Sequence, residues 1–422
     1  MLETFRNAWK VEDLRKRIIY TLVMLLIYRV GSVIPTPGVN VDYIAQQVSN
    51  ISMLGMLDFI NGQNFSNFTI FAMGISPYIT SSIIMQLLTI AIPALERLQK
   101  EGEEGRKKIA EITRVVTIAL GCIMAIGIIL GFGSGAMARG EDANFLDYAL
   151  VFLTLAAGTA LTMWIGERIT QNGVGNGISL LIFVGIIASF PGPVYTGIQS
   201  VILNPMSAWA IPVVIVGIIV LVVGIVFVDS GQRRIPVQYA KRMVGRKMYG
   251  GQSTHIPMKV NSTGVMPLIF AISIIQFPGL IAQFWPTSGF ALWYGRWFNA
   301  SSWVYMVVYA LLILFFTYFY TSISFNPTEM SKNLQQNGGF IPGIRPGKPT
   351  ADYLSRISNR ITLFGAIFLA LIATIPSAIL ALTGNSTPFT ATGILIVVSV
   401  AMETTQQLEA QMMMRHYKGF MK

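Results

Sequence analysis

The sequence predicts an all-α polytopic membrane protein, with ten transmembrane helices arranged as two inverted, pseudo-symmetric halves of five. Three observations predict it. The 422 residues are 53% hydrophobic and only 12% charged, with a mean hydropathy of +0.60, a balance that water-soluble domains do not reach. Nearly all Lys and Arg fall in alternate loops between the apolar stretches. The apolar stretches that are short or broken by Pro recur at matching places in the two halves.

The chain is organised around residues 53–92. An opening piece rich in Gly, Asn and Ser, too short to cross a bilayer, leads into an apolar run that holds Pro77. Backbone groups released from a helix are costly in lipid unless protein or a watery cavity satisfies them. This stretch is therefore expected to line a cavity. Its first part, Met53–Thr69, is expected either to sit in that cavity as a stopper or to form an interfacial re-entrant hairpin.

About 20 apolar residues cross a hydrocarbon core of roughly 30 Å. Ten stretches are assigned: Ile18–Ile34, Ile70–Ile92, Val115–Phe132, Tyr148–Gly166, Ile178–Phe190, Ala208–Val228, Gly264–Trp285, Trp303–Ser324, Ile361–Thr383 and Phe389–Met402, the fifth and tenth being short. The first follows MLETFRNAWKVEDLRKR and resembles a signal peptide, but it ends in SVIPTPG with no small-residue cleavage site and is kept as a helix.

An even number of spans puts both termini on one face, and the loops on that face carry 27 of the 30 Lys and Arg residues. Arg139 and Arg296 lie opposite, and Arg29 lies near the outer end of the first span, where a long side chain snorkels. The positive-inside rule then makes both termini cytoplasmic. The net charge of +11 belongs to that surface, concentrated in two long loops at residues 229–261 and 324–356. Contact with anionic headgroups accounts for single basic residues, whereas loops of this length with Gly and Pro punctuation are usually functional.

Dividing the chain into residues 1–195 and 196–422 gives two sets of five spans, and the odd number forces opposite orientations. The second span of each half is irregular, through Pro77 in one and Pro267 and Pro278 in the other, and the fifth of each is short. A central pathway is expected between spans two, five, seven and ten.

That pathway has no charge at its waist: spans two to nine hold no charged residue in their interiors, and Glu167 and Glu403 lie at cytoplasmic ends. Ile75, Ile79 and Ile83 share one helix face, and Ile178 and Ile182 repeat the spacing directly after NGVGNG. Isoleucine in a membrane helix ordinarily packs against protein or lipid. Here the placement on irregular spans points to an apolar constriction that excludes ions by dewetting. With one cysteine, Cys122, and two histidines, His255 and His416, no Cys/His metal cluster is possible, and no hydrolase, zinc-protease or phosphate-loop motif is present. Neither a cofactor nor enzymatic activity is expected.

Five stretches resemble the SecY family of protein-conducting channels: FAMGISPYITSSIIMQLL, KEGEEGRKKIAEITR, GERITQNGVGNGISLLIF, QRRIPVQYAKRMVGRKMYGGQSTHIPMKVNSTGVMPLIFA and FNPTEMSKNLQQNGGFIPGIRPGKPTADYL. The resemblance runs from about Glu12 to Arg415. It implies a bacterial plasma-membrane channel closed by a ring of aliphatic side chains, matched here by Ile75, Ile79, Ile178, Ile182, Ile269 and Ile396. It also implies a plug helix over residues 53–64, carried by Met53, Leu54, Met56, Leu57, Phe59 and Ile60. A side opening between spans two and three and spans seven and eight would release signal sequences and membrane helices of preproteins into lipid. The long loops would dock the SecA motor or a ribosome through Arg242, Arg246, Lys247, Arg345 and Lys348, and SecE and SecG would be membrane partners. The competing reading is an inverted-repeat secondary transporter or lipid flippase, and the charge-free waist argues against ion coupling.

Overall fold

The computed structural model describes residues 6, 8–50, 55, 58–59, 61–192, 195, 199, 210–239, 242–244, 247–249, 253–261, 263–282, 285, 288–298, 302–383 and 391–419. Each of the ten apolar stretches overlaps one helix. In the first half these are α1 (Glu12–Gly31), α3 (Ser76–Ala91), α5 (Glu103–Phe132), α6 (Phe145–Asn172) and α7 (Gly177–Ser189), with the short helices α2 (Val41–Asn50) and α4 (Pro93–Lys100) between them. In the second half they are α8 (Ala210–Ser230), α9 (Met266–Ala282), α11 (Trp303–Ser324), α13 (Lys348–Thr383) and α14 (Ala391–Gly419), accompanied by α10 (Gly289–Trp297) and α12 (Pro327–Gln336).

Local chemistry sets many of the boundaries. Pro77 stands in the first turn of α3, where no N–H is needed, and Pro93 opens α4 after a bend of 98°. The Asn144 and Asp147 side chains form a reciprocal cap on α6. Asn176 accepts from Ile178 N at 3.0 Å and Ser179 N at 3.3 Å, which starts α7 directly after the glycine turn. At 13 residues α7 is about 20 Å long, shorter than the bilayer core. α5, α13 and α14 run well past their apolar stretches into polar sequence.

The helix contacts repeat between the halves. In each, the second span packs on the third, the third on the fourth, the fourth on the fifth, and the first on the fifth. Two seams join the halves: α3 and α5 against α9, and α7 against α14. One hydrophobic core runs through both seams, from Tyr28 on α1 to Val400 on α14.

The two long loops fold together instead of standing apart as open segments. β1 (Gln232–Tyr239) pairs antiparallel with β4 (Ser253–Lys259), with β2 (Arg242–Val244) and β3 (Lys247–Tyr249) forming a second hairpin between them. The other loop supplies β5 (Gly339–Phe340), which pairs with β1 at Gln238 and Tyr239. Ile235 and Val237 point into a core completed by Met258, Leu334, Ile341 and Leu354. Because β5 stops short of Pro236, β1 is an edge strand there and tolerates the missing donor.

Candidate functional site

The predicted ring residues converge on the central core. Ile75, Ile79, Ile182, Ile269 and Ile396 are 1–7% exposed and belong to that single cluster, and half-buried Ile178 packs against it. They come from α7, α9, α14 and the start of α3, the four irregular spans. Ile75 and Ile178 meet beside Gly166 on α6: a Cβ there would lie 3.3 Å from Ile178 Cγ1 and 3.7 Å from Ile75 Cδ1.

The chain enters α3 later than its hydropathy suggests. Residues 61–75 form a series of buried turns rather than helix, with Asn64 and Thr69 fully buried. Gly74 has φ +55, and a Cβ on it would collide with the Asn61 side chain at 2.3 Å. The turns are satisfied by protein, as such backbone requires. The buried Asp58 carboxylate accepts from the backbone N–H groups of Phe65 and Ser66, both at 2.9 Å, and Asn64 Nδ2 donates to the Tyr28 hydroxyl at 3.2 Å. Burial pushes the Asp58 pKa up, opposed by the bonds from Ser66 and Phe65. Arg29 does not simply snorkel: Nη1 donates to the Gly62 carbonyl at 3.3 Å.

This segment is docked against α7. Phe59 is 7% exposed, its ring 6.3 Å from that of Phe190. Ser189 Oγ donates to the Phe59 carbonyl at 2.9 Å, and Gly62 approaches Gly185 so closely that a Cβ on it would be 2.9 Å from Gly185 Cα. Of the predicted plug residues only Phe59 is described; Met53, Leu54, Met56, Leu57 and Ile60 lie outside the described residues. Asp58, Asn61, Ser189 and Gly185 were not singled out in the sequence. The turn-forming string DFINGQNFSN was the available signal for the first two.

Arg345 and Lys348 are exposed, on the turn leading from β5 into α13, and neither has an ion-pair partner among the described residues. Gly343 and Gly347, with φ +81 and +94, shape this turn. The Arg345 carbonyl accepts from Thr350 Oγ1 at 2.8 Å, and the Gly347 carbonyl from Ser331 Oγ at 2.6 Å. The turn is thus a braced presentation of a guanidinium. Arg242 and Lys247 fall on β2 and β3 with their side chains outside the described residues, as is Arg246 altogether. Where the β1–β4 hairpin meets α13, Arg233, Arg234 and Arg360 stand around an open groove that is also lined by Val260, Ile361 and Phe364.

Beneath the module, Asp229 at the end of α8 accepts from Asn261 Nδ2 at 2.7 Å and Ser399 Oγ at 2.9 Å, linking three elements. On the first half, Arg114 on α5 and Glu167 in the last turns of α6 pair at 2.8 Å.

A two-seamed helical bundle with irregular helices around an apolar centre, and a turn segment lodged against one seam, defines a polytopic membrane channel. The SecY family model matches residues 69–405. The protein translocase subunit SecY of Corynebacterium glutamicum is 44% identical over 99% of both chains, and those of Streptomyces scabiei and Mycobacterium bovis are 45% and 42% identical over the full length of both. The chain belongs to the SecY family. Among solved structures, a protein-conducting channel aligns with a TM-score of 0.67 at 20% identity, covering 94% of this chain and 92% of the other. Sec61 from a canine ribosome–channel complex aligns at 0.62 and 18% identity over the same shares. At those identities the likeness speaks for the fold.

Proposed function

We propose that the chain is the central channel subunit of a protein translocase, a gated passive conduit for unfolded polypeptides across the membrane and sideways into the bilayer. The observation that carries it is the convergence of six isoleucines, five buried and Ile178 half-buried, from four irregular spans on one uncharged core, with the turns of residues 61–75 before α3. Such a collar seals against ions when closed and offers a passing chain no polar group to hold it. The related SecY subunits and the alignment with protein-conducting channels support this over a coupled carrier.

In this reading Ile75, Ile79, Ile178, Ile182, Ile269 and Ile396 form the ring, residues 53–64 the plug, and residues 1–195 and 196–422 the two halves. The seam of α3 and α5 with α9 and α11 opens toward lipid for signal sequences. The co-folded module, with Arg345 at its braced turn, receives a SecA-type motor or a ribosome, and Arg242, Arg246, Lys247 and Lys348 add their basic charge to the docking. SecE- and SecG-like subunits complete the assembly in a bacterial plasma membrane, both termini cytoplasmic. The charge asymmetry supports that orientation. Purified complex in vesicles, supplied with motor and ATP, is expected to protect a signal-bearing unfolded precursor from added protease. Continued digestion under conditions in which the motor binds would refute the reading.

A further inference from the structure

Between α9 and α11, on the face opposite the basic loops, α10 has a role that a conduit alone does not require. Ser288 caps it, its Oγ accepting from Ala291 N at 3.2 Å. One stripe is turned inward: Ala291, Tyr294 and Phe298, with Tyr294 4% exposed and stacked on Phe298 at 4.8 Å. The remaining surface is open and almost wholly apolar. Phe290, Leu292, Trp293 and Trp297 are 45%, 67%, 52% and 45% exposed, and Arg296 is the one charged side chain of the helix.

A patch this apolar calls for a covering partner. Its neighbours say which. α9 ends at Ala282 and α11 begins at Trp303, so α10 is tethered between the points where two membrane helices leave the hydrocarbon. Trp285 and Trp303, both strongly exposed at those points, continue the same aromatic band. Tryptophan concentrates at this depth because its ring is apolar and its N–H seeks the headgroup layer, while an arginine there reaches phosphate. The inward stripe meets the membrane bundle directly: the Tyr294 hydroxyl donates to the Ile275 carbonyl on α9. That carbonyl adjoins the one at Ile274, which Pro278 leaves without its usual helical donor.

We propose that α10 is an interfacial helix bound to the phospholipid headgroup layer, and that Tyr294 uses this anchorage to steady α9 at its proline break. The anchorage stands independently of the protein-conduit reading, since it concerns only membrane depth.

The protein's single cysteine makes the test direct. In a Cys122→Ala background, a nitroxide on Leu292→Cys is placed in the full chain in nanodiscs of phosphatidylethanolamine and phosphatidylglycerol. Leu292 is exposed, so the label disturbs no packing. Collisions with lipid-soluble oxygen are expected to exceed those with a water-soluble nickel chelate, at headgroup depth. Nickel collisions typical of a solvated loop would overturn the proposal. Shielding from both reagents would also overturn it, by assigning the patch to a protein partner or second copy. For the second half, Tyr294→Phe should leave that depth unchanged while increasing the mobility of a label at Ala282→Cys. Unchanged mobility there would refute the coupling to α9.

Discussion

Ser189 and Phe59, 130 positions apart, are joined by a 2.9 Å hydrogen bond from the serine hydroxyl to the phenylalanine carbonyl. The bond ties the turn segment before α3 to the end of α7, beside the Gly62–Gly185 approach. A neutral hydrogen bond of this kind contributes about 1 kcal/mol, or roughly five-fold in an equilibrium. Ser189→Ala is therefore expected to raise the resting ion conductance of reconstituted channels several-fold in planar bilayers. Conductance equal to the parent would mean that this contact does not hold the closed state.

Asp58 organises the same segment from within by accepting two backbone N–H groups with one carboxylate oxygen. Asp58→Ala strands both donors in a buried site, a penalty of about 1–3 kcal/mol for each. Asp58→Asn keeps an oxygen in place. The alanine variant should leak and the asparagine variant should stay closed. Equal leak from both would show that charge, rather than turn geometry, is what matters at this position.

The ring makes a prediction of its own. Ile182 is 3% exposed in the central cluster, and serine in its place would wet the proposed collar. Ile182→Ser should raise conductance and relax the demand for a functional signal sequence, whereas Ile182→Val, which keeps the surface apolar, should do neither. A silent serine variant would remove this residue from the constriction.

Arg345→Glu tests the turn between β5 and α13. Because the side chain is exposed and the turn is braced through backbone carbonyls, the substitution should leave folding intact. Binding of a motor or ribosome through bidentate contacts to carboxylate or phosphate should fall by an order of magnitude or more, about 1.4 kcal/mol. Normal precursor import with this variant would move the docking site elsewhere.

How much of this is legible in the sequence differs from element to element. α11 coincides with its apolar stretch, Trp303–Ser324, because polar residues flank a uniformly apolar run. The start of α3 is not legible in the same way. Residues 70–75 are as apolar as the helix that follows, and only the backbone at Gly74 together with Pro77 delays it to Ser76. α13 begins 13 residues before the apolar stretch at Ile361, since its first turns are amphipathic and lie on the module core. The strands are masked by their charges and by Pro236 and Pro257, and Leu334, Ile341 and Leu354, which bury Ile235 and Val237, come from the other loop. The convergence of Ile75, Ile79, Ile178 and Ile182 on the core is legible because period-four spacing and membrane breaks are local signals, whereas Ile269 and Ile396 follow from the family resemblance alone. Ser189 and Gly185 are not, because their partners at Phe59 and Gly62 are distant in the chain.

Glu403 supplies the pH dependence. It stands on α14 just past the tenth apolar stretch, and burial raises its pKa above the ordinary 4.5, with Lys259 opposing and Asp229 adding to the rise. A carboxyl group whose folded pKa is raised favours folding while it is protonated. That contribution is fully present below the unfolded pKa and is lost as pH climbs through the folded value. The complex should therefore lose thermal stability over that interval, and Glu403→Gln, which mimics the protonated form, should flatten the curve and be the more stable form at neutral pH. Melting of the detergent-solubilised protein from mildly acidic to neutral pH reads this directly. A parent and variant with parallel curves would show that Lys259 compensates the charge fully and that the junction of α8, β4 and α14 is insensitive to its protonation.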